Sequence, residues 1–203
     1  MTFLIRIAIT FIFLSSCSSL NFTYPYYDFW QNALFRNNIN VTDAYIESQE
    51  FSFIHVSYKK NDAIFVLSEI ENEVFTWVGK DFEKIKTYRG LIVETFGIDP
   101  DIRIDMKDRS KLLNSNFIEN AYFFDINIDD PSIFALPIEY RLVKKDKLNT
   151  NKYSVTFKKY SDVLRWKNND KIIFDFDTGL PSYSSISISP IEPNINIDFY
   201  YKY

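Results

Sequence analysis

The stretch FSFIHVSYKKNDAIFVLSEIENEVFTWVG, Phe51 to Gly79, decides the fold. It holds three apolar runs, FSFIHVSY, AIFVLSEI and EVFTWVG, parted by KKND and by the polar pair Glu71–Asn72. Short runs rich in Phe, Ile and Val between polar turns read as strands, and connections this brief join antiparallel neighbours. The stretch is a meander. Period-two alternation returns downstream, in AYFFDINID with Tyr122, Phe124, Ile126 and Ile128 on one face, and in KYSVTFKKY with Tyr153, Val155 and Phe157. INIDFYYKY places Ile195, Ile197, Phe199, Tyr201 and Tyr203 together. One buried and one wet face is the usual antiparallel arrangement.

Composition agrees. A chain of 203 residues suits one domain, and 46% hydrophobic with 25% charged residues is a globular balance. The 20 Phe and 14 Tyr, against 4 Gly, favour a pleated, half-buried surface. The expected fold is mainly β: a single antiparallel β-sheet or β-barrel-like domain with a few short helices. Three stretches carry helical signals. YPYYDFWQNALF spaces Tyr27, Trp30 and Leu34 helically, VTDAYIES offers Thr42 or Asp43 as a cap, and DRSKLLNSNFIEN has room for a turn or two.

A net charge of −4 argues against a nucleic-acid partner, and KKDK (Lys144 to Lys147) reads as solvated turn residues. One cysteine forms no internal disulfide and no multi-cysteine zinc site. The single histidine, His55, reads as a strand residue among polar neighbours. No metal or cofactor is expected.

That cysteine has another use. Arg6 and the apolar run Ile7 to Leu14 have the proportions of a secretory signal, too short for the roughly 20 residues that span a bilayer. Leu14, Ser15, Ser16 and Cys17 then resemble a bacterial lipobox. A thiol accepts a diacylglycerol as a thioether, small residues admit the peptidase, and the freed amine of Cys17 can be acylated. Several acyl chains make a durable anchor where one does not. Ser18 replaces the Asp that would signal inner-membrane retention, so this resemblance implies the outer membrane. The expected organisation is a signal peptide over 1–16, a lipidated tether over 17–23 and a β-rich domain over 24–203.

IIFDFDTG holds Asp177, Thr178 and Gly179, the triplet of an aspartic protease. That chemistry needs two such loops sharing a proton, and the chain has one, followed by Leu180–Pro181. The triplet reads as a turn. Asp105 with Asp108, and Asp125 with Asp129 and Asp130, read as solvated acids, since DINIDDP lacks the glycine a calcium loop needs. Trp77, Trp166 and Tyr183 are candidates for stacking on sugar rings by residue type alone, and for each taken singly core packing is the stronger reading.

WVGKDFEKIKTYRGLIVETFGI, Trp77 to Ile98, with FWQNALF and VTDAYIES upstream and FDFDTGLPSYSSISISP downstream, resembles the group 4 capsule polysaccharide lipoprotein family, the YjbF and GfcB proteins. Members carry a Trp near a strand end and then a Gly-x-[Leu/Ile]-Val-x-Thr-x-Gly-like run, here Gly90 to Gly97. Many have Arg after the first Gly, where this chain has Leu91, with Arg89 before it. The resemblance implies a lipid-anchored, non-catalytic outer-membrane lipoprotein that supports capsule or exopolysaccharide assembly or export. It implies no catalytic residues; its expected partners are outer-membrane lipid through Cys17 and the polysaccharide or its export machinery. The alternative is a periplasmic lipoprotein carrying or placing a lipid through an apolar cavity, and a hydrolase using Asp177 or another acid is a third and weakest reading.

Overall fold

The structure, a computed structural model, describes residues 39–105, 121–129 and 132–202. The lipobox, the tether, the Tyr27–Leu34 segment, the 108–120 segment, Asp130 and Tyr203 lie outside the described residues.

Among the described residues the chain makes one short helix, α1 (Asp43–Ser48), and twelve strands. The strands are β1 (Phe53–Tyr58), β2 (Asn61–Glu71), β3 (Val74–Val78), β4 (Lys84–Tyr88), β5 (Leu91–Phe96) and β6 (Ile102–Asp105). They continue as β7 (Ala121–Ile128), β8 (Ile133–Lys147), β9 (Lys152–Ser161), β10 (Trp166–Asp175), β11 (Pro181–Ile186) and β12 (Ile195–Tyr200). Each pairs antiparallel with its neighbour in sequence, and β12 returns to β1, with Ile54 opposite Phe199 and Val56 opposite Ile197. The meander is therefore a closed barrel. Closure removes both sheet edges, whose unpaired amides would otherwise invite another strand.

The turns are tighter than the spacing suggested. KKND contracts to Lys59–Lys60, and the next turn is Asn72–Glu73. Lys59, Asn72, Glu73 and Arg89 take positive φ (58°, 50°, 64° and 46°), with Gly90 at 87°. Asn72–Glu73 and Arg89–Gly90 have positive φ at both central residues, and Lys59–Lys60 at the first alone, the two kinds of hairpin turn whose twist matches the strands. Here they are achieved largely without glycine, which is why so few glycines suffice. KKDK is no turn at all: Lys144 to Lys147 complete the long strand β8. Thr42 caps α1, its hydroxyl accepting from the Tyr45 amide at 3.2 Å. The Tyr45 ring then meets Phe53 edge-on at 5.7 Å, so the helix covers an apolar residue on the outer wall.

Most inward residues are apolar. Ile54, Trp77, Ile85, Ile92, Ile126, Ile138, Tyr140, Ile172 and Ile197 are wholly buried, each worth about 1.5–3 kcal/mol when removed from water. Trp77 meets Phe199 at 5.9 Å and donates its indole N–H to Thr87 Oγ1 at 2.9 Å. Tyr140 stacks on Phe157 at 4.7 Å. Surfaces covered this completely by neighbouring atoms adjoin no solvent-sized void. The outer wall carries His55, Lys86, Glu94, Arg103, Arg141, Lys158 and Lys167. A polar outside over an apolar inside reverses the pattern of a membrane-spanning barrel.

Candidate functional site

The barrel wall is unevenly charged. Residues 139–171, from mid-β8 to β10, hold ten of the chain's 23 basic residues but four of its 27 acidic ones. This part carries a basic surplus in a chain whose net charge is −4.

Residues directly opposite one another in an antiparallel sheet share a face, so the register places these charges in rows. Phe123, Glu139, Tyr160 and Lys167 form one outer row across β7 to β10. Arg141, Lys158 and Asn169 form the next. Lys144, Thr156 and Lys171 form a third. Between the second and third rows the β8 register slips at Val143. A bulge of this kind bends its strand and re-aims neighbouring side chains. Beside it lies a groove of about 540 Å³ lined by Glu139, Arg141, Val143, Lys158, Tyr160 and Lys167.

Two cations here are neutralised: Arg141 donates to Glu139 at 2.6 Å, and Lys144 sits 2.9 Å from Asp146. Lys158, Lys167 and Lys171 have no carboxylate partner among the described residues. The Tyr160 hydroxyl donates to Asp162, and that bond, with the carboxylate charge, raises the phenol pKa. Phe123 is 75% exposed. A second groove, of about 320 Å³ over β2 to β6, has the opposite balance. Glu69, Glu71 and Glu94 outnumber Lys86 and Arg103 there, and Lys86 is tied to Glu94 at 2.7 Å.

Inside the barrel one charged cluster stands out. Lys159 and Asp170 are both buried and lie 2.8 Å apart. Asp170 accepts from the Tyr140 hydroxyl at 3.0 Å and the Ser187 amide at 2.8 Å. The Lys159 ammonium also donates to the Ser187 carbonyl and lies over the Tyr140 and Trp166 rings. Burial and the Asp170 charge push the Tyr140 phenol well up. The cluster ties the β11–β12 connection into the barrel end. Alternation contains the signal for it: Lys159 follows Phe157 by two, and Asp170 precedes Ile172 by two.

Other candidate residues take structural places. Trp77 and Trp166 are buried in the barrel, in the core-packing role that was the stronger reading for each, and neither is open to a sugar ring. Tyr183 is half-buried, its hydroxyl donating to Asn196 at 3.0 Å. His55 lies on the outer wall between Asp198 at 3.6 Å and Asp62 at 3.8 Å. Asp177 is exposed in a tight turn, as the triplet suggested, but the turn's acceptor is Asp175. Its Oδ1 takes the Thr178 and Asp177 amides at 3.0 and 2.9 Å, which lowers the Asp175 pKa, and Gly179 adopts φ 67°. Asp125 and Asp129 are exposed, and no group of His, Cys, Asp and Glu fit for a metal occurs among the described residues.

In the Gly90–Gly97 run, Gly90 closes the β4–β5 turn, and Gly97, at φ 74°, donates to Asp101 at 2.8 Å. Leu91 is buried, whereas the Arg89 guanidinium pairs with both oxygens of Glu73 at 3.2 and 3.3 Å.

In fold, the chain is similar to the crystal structure of the hypothetical lipoprotein YmcC from Escherichia coli (K12). The TM-score is 0.61 at 16% identity, over 86% of this chain and 96% of that one. No curated protein matches in sequence. Residues 22–171 match the family described as group 4 capsule polysaccharide lipoprotein gfcB, YjbF. That match runs through well over half of the chain, from the segment ahead of α1 into β10, and the chain belongs to the group 4 capsule polysaccharide lipoprotein family.

Proposed function

We propose that this chain is a non-catalytic lipoprotein, anchored in the outer membrane through Cys17, that supports capsule or exopolysaccharide assembly or export from the periplasmic side. Membership of the capsule lipoprotein family carries the reading, and the lipobox Leu14–Cys17 supplies the anchor. The packing supports it too. The buried carboxylate Asp170 is paired with a lysine rather than with a second acid, so it lacks the shared proton of an aspartic dyad. The wholly buried inward side chains, among them Ile54, Trp77, Ile126 and Ile172, lend no support to the lipid-carrier alternative.

The test is surface exopolysaccharide in a strain lacking the protein, complemented with wild type, Cys17→Ala or Asp177→Ala. Polymer restored by wild type and Asp177→Ala, but not by Cys17→Ala, is the expected result. Failure of a stably folded Asp177→Ala alone would return the enzyme reading. Unchanged polymer in the deletion strain would remove the capsule role.

A further inference from the structure

The geometry points to the outer groove over β8 to β10 as a binding site for a segment of anionic polysaccharide. The inference deepens the function proposed above and rests on it for the ligand being a glycan; the anionic class comes from the groove itself.

Three observations converge. Lys158 and Lys167 line the groove and Lys171 lies beside it, all three free of carboxylate partners among the described residues. The basic surplus sits here, while the remainder of the chain is acidic. An anionic polymer is thus drawn to this wall and repelled by the others. The second observation is aromatic. Phe123 and Tyr160 stand in one row with Glu139 between them, so they are two strand spacings apart, about 9.5 Å. The apolar C–H face of a sugar ring packs on aromatic rings, here the exposed Phe123 and the half-buried Tyr160, and Glu139 and Arg141 meet its hydroxyls as acceptor and donor. The third is shape. The bulge at Val143 gives the groove depth, and its volume of about 540 Å³ lies within the usual range of ligand sites. A lipid headgroup fits less well, because its acyl chains need an apolar bed and the lining is mostly charged.

Binding is measured with the full-length protein in neutral detergent, using fluorescent oligogalacturonate as the anionic glycan and dextran as the neutral one. Phosphatidylglycerol vesicles provide the lipid arm. Oligogalacturonate is expected to bind, more weakly as salt rises, and dextran not to bind. Lys158→Glu with Lys167→Glu is expected to weaken binding at least tenfold, and Tyr160→Ala severalfold. Lys60→Glu with Lys80→Glu makes the same charge change on distant turns and leaves binding unaltered. All these positions reach the surface, and unchanged thermal melts confirm folding.

Absent oligogalacturonate binding, equal loss in both double variants, or preference for dextran overturns the site. So does capture by the vesicles that the groove variant abolishes, which would make lipid the ligand. In cells the two proposals separate. Full polymer rescue by the groove variant in a deletion strain that lacks polymer sinks the site and leaves the function. Unchanged polymer in the deletion strain, with groove-dependent oligogalacturonate binding intact, does the reverse.

Discussion

Lys159 is held by four partners at once: a carboxylate, a backbone carbonyl and two ring faces. A buried ion pair adds little net stability over a well-packed apolar replacement, but removing one partner leaves a desolvated charge costing about 3–5 kcal/mol. Lys159→Met should therefore lower the unfolding free energy by about that amount, read by urea denaturation. Adding Asp170→Leu should recover part of the loss, because no orphan charge remains. Tyr140→Phe removes a donor to a charged acceptor and should cost about 1.5–3 kcal/mol in the same measurement. If Lys159→Met melts like wild type, the pair does not hold the β11–β12 connection.

At the scale of elements, the β4–β5 turn shows why the family run begins with glycine. At Gly90 (φ 87°) a Cβ would stand 2.9 Å from Ile172 Cγ2 and 3.0 Å from Pro181 Cβ. Gly90→Ala meets both strain and a clash with side chains packed in the barrel. It should destabilise the fold by about 1–3 kcal/mol, whereas Gly179→Ala, with open space around it, should lose only the conformational part; comparing the two melts separates the terms. The strands were legible because alternation records which side chains point inward: Phe124, Ile126 and Ile128 are buried, as are Ile195, Ile197 and Phe199. The choice between an open sheet and a barrel stayed undecided, because the pairing of β1 with β12 joins residues far apart in sequence and no local pattern encodes it. KKDK misled because four polar residues on a strand running to the sheet's end look the same as four in a turn. The groove was hidden for a similar reason. Glu139, Tyr160 and Lys167 become neighbours only through register, and a bulge at Val143 leaves no mark in an apolar–polar string.

For the whole barrel, the tyrosines set an alkaline limit. Burial, ahead of nearby Glu192, holds the Tyr58 phenol far up, and burial leads for Tyr140, Tyr153 and Tyr200; the Asp162 hydrogen bond does the same for Tyr160. An unfolded tyrosine titrates near 10. Above that pH the unfolded chain releases protons that the native barrel keeps, so unfolding gains free energy as pH rises. The stability these groups supply is complete below about pH 10 and is lost progressively as pH climbs toward the native values. The acid side differs in sign. Hydrogen bonding lowers the Glu73 and Asp175 pKa values, so their share is lost as pH falls through them, and both are exposed enough for water to screen most of it. The melting temperature should therefore hold steady through neutral pH and drop steeply above about pH 10, with the tyrosinate absorbance of buried Tyr58 and Tyr140 rising at the same midpoint as the loss of strand signal. Tyr58→Phe keeps the ring and deletes the titration, so its melting temperature should fall less between neutral and alkaline pH. If the tyrosinate absorbance lost in Tyr58→Phe or Tyr140→Phe rises well before the strand signal falls, these two buried phenols ionise inside the intact barrel and water reaches them there.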